Sequence, residues 1–134
     1  MVASQKMAIK GILFDYFGVI HIGSKDEELI ELINNLSNKY SICILSNSAS
    51  KHLDLDGLSF EPEIVTPQDV GSIKPQSKIY EYTLERMKLK PEEAIFIDDS
   101  EINVLAANQL GINGLLYDNI YKLSKDLADL GVKL

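Results

Sequence analysis

A handful of polar side chains in this sequence could do chemistry together if the fold gathers them at one edge: Asp15, Ser46, Asn47, Lys74, Asp98 and Asp99. Their types suit magnesium and phosphate. Mg²⁺ takes a few carboxylates plus water, and a phosphoryl group is held by hydroxyls, backbone N–H groups and an ammonium. Asp15 is the hardest to explain structurally. It interrupts Ile12-Leu13-Phe14 and Tyr16-Phe17, and a carboxylate among hydrophobic residues costs free energy unless paired or metal-bound. The others have plainer alternatives. Ser46, Asn47 and Ser48 have the composition of an N-cap for a short following helix. Asp98 and Glu101 stand at capping-box spacing, although one cap does not use two adjacent acids. Lys74 alone reads as a solvated surface lysine.

These residues must be positioned by regular elements, and the sequence supplies them. Five short apolar runs rich in β-branched and aromatic residues read as strands: 11–14 ending on Asp15, 41–45 ending on Ser46-Asn47, 63–66 between Pro62 and Pro67, 94–97 ending on Asp98-Asp99, and 114–117 ending on Asp118. Runs that are apolar throughout suit strands covered on both faces. Between them lie helical patterns. Leu29, Leu32, Ile33 and Leu36 share one face. Pro75 is expected to open a long helix carrying Ile79, Thr83, Leu84 and Met87. A third helix runs from about Ser100 to Leu110 and stops at Gly111. The last carries Ile120, Leu123, Leu127 and Leu130. Strands alternating with helices imply right-handed crossovers and a parallel sheet between helical layers, an α/β three-layer Rossmann-like fold. In such sheets ligands bind beyond the carboxyl ends of the strands, where Asp15, Ser46, Asn47, Asp98 and Asp99 fall, with Lys74 before a helix on the same side.

The 134 residues fit one domain, 1–134, with no internal repeat or linker, and residues 1–8 are expected to be loosely held. Met7 is a candidate alternative start. A composition of 46% hydrophobic and 25% charged residues is that of an ordinary globular protein. No apolar run reaches the roughly 18 residues of a membrane span, and the N-terminus lacks the apolar core of a secretory signal. The lone Cys43, inside an apolar run, excludes an internal disulfide and fits a small core residue in a reducing, cytoplasmic setting. A net charge of −7 without a basic cluster argues against nucleic acid. His21 and His52 lack ligand-like neighbours, so zinc is not expected.

The order of these pieces resembles the haloacid dehalogenase superfamily over nearly the whole chain. Phe14-Asp15-Tyr16-Phe17-Gly18-Val19-Ile20 is similar to its first motif, Ile44-Leu45-Ser46-Asn47-Ser48 to its second, and Lys74-Pro75 to its third. Residues 96–103, followed by Ala106, Ala107, Leu110 and Gly111, resemble the fourth. The first and fourth are specific in combination; the second and third are weak alone. The resemblance implies a hydrolase with Asp15 as nucleophile, passing through an aspartyl-phosphate. It implies Mg²⁺ held by Asp15, the Phe17 main-chain carbonyl and the fourth-motif acids, with Asp99 the more direct ligand than Asp98. Ser46, Asn47 and Lys74 would bind the phosphoryl group, with Ser46 and Lys74 stabilising its charge.

The sequence departs from that pattern twice. Phosphatases of the superfamily carry a second Asp two residues after the nucleophile, which protonates the leaving group; here Phe17 stands there. General acid–base help is worth about 10²–10⁴-fold, so acyl and aryl phosphates are the expected substrates. An aromatic residue at this point is also similar to the dehalogenase branch, and a catalytically disabled binding or regulatory module is the other alternative. A phosphate-receiving signalling domain is excluded by order, since its acidic pair would follow the first strand. Second, only 31 positions separate Asp15 from Ser46, and none of the usual room exists before Lys74, so no cap domain is expected. The phosphorylated substrate is then macromolecular, or another subunit, as in a homo-oligomer, closes the site.

Overall fold

The computed structural model describes residues 8–134, so the expectations for the N-terminal segment and Met7 lie, but for Ala8, outside the described residues. The chain runs β1 (Gly11–Phe14), β2 (His21–Ile22), β3 (Ser24–Lys25), α1 (Glu27–Leu36), β4 (Ser41–Leu45), β5 (Glu63–Val65), α2 (Pro67–Val70), α3 (Ser77–Met87), β6 (Ala94–Asp98), α4 (Glu101–Gln109), β7 (Asn113–Leu116) and α5 (Ile120–Asp129). Five strands form one parallel sheet in the order β5-β4-β1-β6-β7, as the alternating pattern predicts. Between β1 and β4 the chain forms only the β2–β3 hairpin and α1, and between β5 and Lys74 only α2. No described helix is long and apolar enough to cross a membrane.

Successive strand residues point to opposite faces, and the core divides accordingly. Ile12, Phe14, Ile42, Ile44, Ile95 and Ile97 pack with Leu29, Ile33 and Leu36 of α1 and Leu123 and Leu127 of α5. Leu13, Cys43, Leu45 and Phe96 pack on the other side with Ile79, Tyr80 and Leu84 of α3 and Ala107 of α4. Cys43 is wholly buried there, and burial pushes its thiol far up, so it behaves as a core residue.

Five local expectations need correction. Pro75 does not open a helix: α3 starts at Ser77 with Gln76 as N-cap, and Pro75 lies in a turn. The Gln76 side chain closes that turn by accepting from the Ile73 amide at 3.1 Å and the Ser72 hydroxyl at 3.0 Å. No helix follows Ser46-Asn47-Ser48. Instead the hydroxyls of Ser46, Ser48 and Ser50 each accept from the amide two residues on, a local alternative to helix that serine side chains offer. The helix after Asp98 is capped by Ser100, which accepts from the Asn103 amide, so no Asp98–Glu101 box forms. Thr66 leaves the strand to begin α2. The β2–β3 hairpin has strands too short to leave a periodic signal, and β7 is shifted by one residue from 114–117.

The edge strand β7 is packed so closely on α4 that a Cβ on Gly114 would stand 2.8 Å from the Val104 carbonyl oxygen and 2.9 Å from its side chain. Helix backbone cannot swing aside as a side-chain tip can. Gly114→Ala is therefore expected to destabilise the fold by about 1–3 kcal/mol, read as a lower urea midpoint. An unchanged midpoint would mean that α4 slides freely on the sheet.

Candidate active site

The parallel register decides which polar groups meet. Phe14 lies opposite Ile97 and Ile44, so the next residue, Asp15, emerges beside Asp98 and Leu45. The Asp15 amide still donates to the Ile97 carbonyl at 2.9 Å, and the Ser46 amide to Val65 at 3.0 Å. Strand pairing thus holds the backbone of both residues at the carboxyl edge. Lys74 arrives from the turn before α3. Its ammonium donates to Asp15 Oδ1 at 2.8 Å, Asp98 Oδ2 at 2.8 Å and the Leu45 carbonyl at 2.9 Å. An ammonium has three protons, and all are used. The lysine expected to be solvated alone is 3% exposed and lies 5.3 Å from the centre of the Phe96 ring.

Asp15, Asp98 and Asp99 can each offer one carboxylate oxygen within 4.8 Å of the others, the only such cluster of potential ligands among the described residues. Set against three carboxylates, one lysine leaves a deficit of positive charge that a divalent cation would balance. Hard oxygen donors on a half-open edge suit Mg²⁺, which keeps several waters and takes few protein ligands. The residues present fit that ion. Burial pushes the Asp15 carboxyl up to about 6, against the pull of Lys74 and with a further upward push from Asp98. Burial, and then Asp98, also raises Asp99.

Around the cluster lies a cleft of about 310 Å³ lined by residues that include Asp15, Phe17, Ser46, Lys74, Asp98 and Asp99. The Ser46 hydroxyl accepts from the Ser48 amide at 3.1 Å, which keeps its own proton available as a donor. Asn47 also borders the cleft, but its amide grips the Lys74 main chain at both ends: Oδ1 accepts from the Lys74 amide at 2.8 Å and Nδ2 donates to its carbonyl at 3.1 Å. Phe17 is 54% exposed. In the turn after Asp15, the amides of Val19, Ile20 and His21 all donate to the Tyr16 carbonyl, and Gly18 donates to His21. The Phe17 carbonyl takes no part in these bonds.

Two contributors escaped the sequence reading. Asn103 lines the cleft and donates to Asp98 Oδ2 at 3.1 Å. Its position one turn into α4 was the available signal. Gly18 has φ +94, and a Cβ there would come within 2.4 Å of the Asp99 carboxylate, so only glycine lets that acid lie against the turn. His21 packs beside the rings of Tyr16 and Phe17, away from any ligand cluster.

Comparison with known proteins agrees with this geometry. A family model for haloacid dehalogenase-like hydrolases matches residues 23–111, a span that begins after Asp15 and Phe17. The chain is 38% identical over 64 residues to flavin mononucleotide hydrolase 1 of Arabidopsis thaliana, covering 48% of this chain and 26% of that protein. It is 30% identical over 94 residues to the glyceraldehyde 3-phosphate phosphatase of Methanothermobacter thermautotrophicus, covering 66% and 42%. The chain thus spans less than half the length of these relatives. Its fold matches a haloacid dehalogenase family enzyme of Bacteroides thetaiotaomicron, solved as a magnesium complex, with a TM-score of 0.73 at 18% identity over 89% of this chain and 100% of that one. The matched family model covers well over half of the chain, and the sheet order and its acidic carboxyl edge accord with it: this chain belongs to the haloacid dehalogenase-like hydrolases.

Proposed function

We propose that the protein is a Mg²⁺-dependent phosphatase that works through an aspartyl-phosphate on Asp15, with weakened help to the leaving group. The observation that carries this reading is the buried Lys74 bridging Asp15 and Asp98, with Asp99 beside them. An Asp15 carboxylate oxygen forms a bond to phosphorus, the bond from phosphorus to the leaving oxygen breaks, and the electron pair departs with that oxygen. Water then attacks phosphorus, the bond to Asp15 breaks, and inorganic phosphate leaves while the carboxylate is restored. Asp15, Asp99, Asp98 and the Phe17 carbonyl are the groups that would hold Mg²⁺, whose charge would ease the approach of two anions. Ser46 donates its hydroxyl proton to a phosphoryl oxygen. Lys74, with its protons already engaged, acts through its charge, and Asn47 holds its backbone in place. The open cleft supports a phosphoryl group presented by a large molecule, or closure by a second subunit.

Phe17 offers no proton to the leaving group, and this favours one second reading, a disarmed binding or regulatory module. The dehalogenase alternative is weaker, since a halide leaves without a metal and gives the acidic trio no task. The deciding assay is Mg²⁺-dependent hydrolysis of acetyl phosphate and an aryl phosphate. The natural chain is expected to turn over both, Asp15→Asn neither. Phe17→Asp is expected to gain on alkyl phosphates by up to about 10²–10⁴-fold. Turnover confined to Phe17→Asp would establish the disarmed module instead.

Metal and proton compete for Asp15. Its folded value of about 6 lies above the ordinary 3.8, so the fold binds the proton more tightly than the unfolded chain does. That contribution to stability is complete below the unfolded value and is lost as pH rises through the folded one. Without metal, stability should therefore decline across this window, and the raised Asp99 acts in the same sense. Millimolar Mg²⁺ is expected to raise Tm little near pH 4–5 and increasingly up to about pH 7. Asp15→Asn should flatten both trends. A Mg²⁺ increment independent of pH would remove Asp15 from the ligand set.

A further inference from the structure

We propose that the Phe17 ring is a stacking platform at the mouth of the cleft and that the substrate's leaving group is aromatic, making the substrate an aryl phosphate. This rests on the phosphatase reading and narrows its substrate class. Phe17 follows Asp15 by two residues, lines the same cleft and is 54% exposed, whereas Phe14 and Phe96 are wholly buried. Leaving half of such a ring in water forgoes a corresponding part of the roughly 1.5–3 kcal/mol that full burial of a Phe contributes, which a planar ligand would recover.

The ring is also held in place. Tyr16 meets it edge-on at 4.8 Å, and His21 meets it at 5.5 Å with the planes at 70°. Neither contact is a face-to-face stack, and no described aromatic ring is stacked on Phe17. Tyr16 itself is buried and donates its hydroxyl to the Asp54 carbonyl at 2.9 Å. The three amides bonded to the Tyr16 carbonyl fix the turn that carries Phe17. Such an arrangement presents an aromatic surface without the ordering cost of a mobile side chain.

The chemistry points the same way. With no acid at position 17, the leaving oxygen departs unprotonated. A phenolate, whose conjugate acid has a pKa of about 10, does so far more readily than an alkoxide. Asp15 forms its bond to phosphorus, the P–O bond to the phenolic oxygen breaks, and the phenolate keeps the electron pair until solvent at the open mouth supplies a proton. The residue that withholds the proton is the one that would hold the ring.

The test is calorimetric titration of the natural chain with Mg²⁺ and three phosphonates whose P–C bond cannot be cleaved this way: methyl-, phenyl- and naphthylphosphonate. Affinity is expected to rise in that order, with naphthyl ahead of methyl by roughly three- to tenfold, the equivalent of one aromatic contact. Phe17→Leu should bring the three close to parity, and Phe17→Trp should restore the spread. Equal affinities in the natural chain, a spread that survives Phe17→Leu, or no binding of any of the three overturns the proposal. Hydrolysis is scored separately with naphthyl phosphate and acetyl phosphate. Ring-dependent binding without turnover would sink the phosphatase reading and leave the platform standing; turnover without ring dependence would do the reverse.

Discussion

A single ammonium holds this site together. Lys74 is buried between two carboxylates that come from strands β1 and β6, 59 and 24 residues away in sequence. Burying any one of these charges alone is prohibitive, and removing one partner from a buried ionic group typically costs about 3–5 kcal/mol. The three therefore depend on one another. Asn47 serves the same end, since its two hydrogen bonds fix the Lys74 main chain where the ammonium can reach both acids. Balance is still incomplete, because Asp99 adds a third carboxylate, and burial raises the Asp15 carboxyl despite its ion pair. The site is built with an unmet demand for positive charge.

That cluster exists because of sheet topology. The central strand β1 has β4 on one side and β6 on the other, so the chain progresses outward in one direction to β5 and then returns to build β6 and β7. The crevice at such a reversal is where open parallel sheets bind ligands. Asp15, Ser46 and Asp98 stand at the carboxyl ends of three adjacent strands. Their separation is set by strand spacing, not by flexible loops, and the apolar faces on either side keep the strands in register.

The turn after β1 performs a second task. It must let Asp99 approach, which Gly18 permits, and it must carry position 17 to the cleft mouth. Tyr16 ties this turn to the long loop after β4 through Asp54, so the wall is shared between distant segments. An aromatic side chain here exchanges proton-transfer capacity for apolar surface. For a phosphatase acting through Asp15, that exchange restricts the chemistry to leaving groups that need no proton.

Much of this was legible in the sequence. Apolar runs such as 11–14 and 94–97, alternating with helical periodicity, specify a parallel sheet whose central strands are covered on both faces, because only doubly buried strands can dispense with polar alternation. Asp15 stood out because a carboxylate inside an apolar run has to be paired. Local hydrogen bonding was less legible. The serines after β4 close turns on themselves where a helix cap was expected, and Ser100 rather than Asp98 caps α4; Ser and Asp side chains can each bond several nearby amides, so residue type alone does not choose among them. Tertiary structure alone decided the rest. Lys74 taken alone reads as a surface lysine, and only the motif order places it at the site; which two acids its ammonium bridges is decided by the turn before α3, as is the grip of the Asn47 amide on the Lys74 backbone. The close approach of Asp99 to Gly18 has no sequence signature either. Periodicity is a property of neighbours along the chain, so it reports strands and helices. Ion pairs and close contacts join residues tens of positions apart, and only the packed register of β1 against β4 and β6 determines which of them meet.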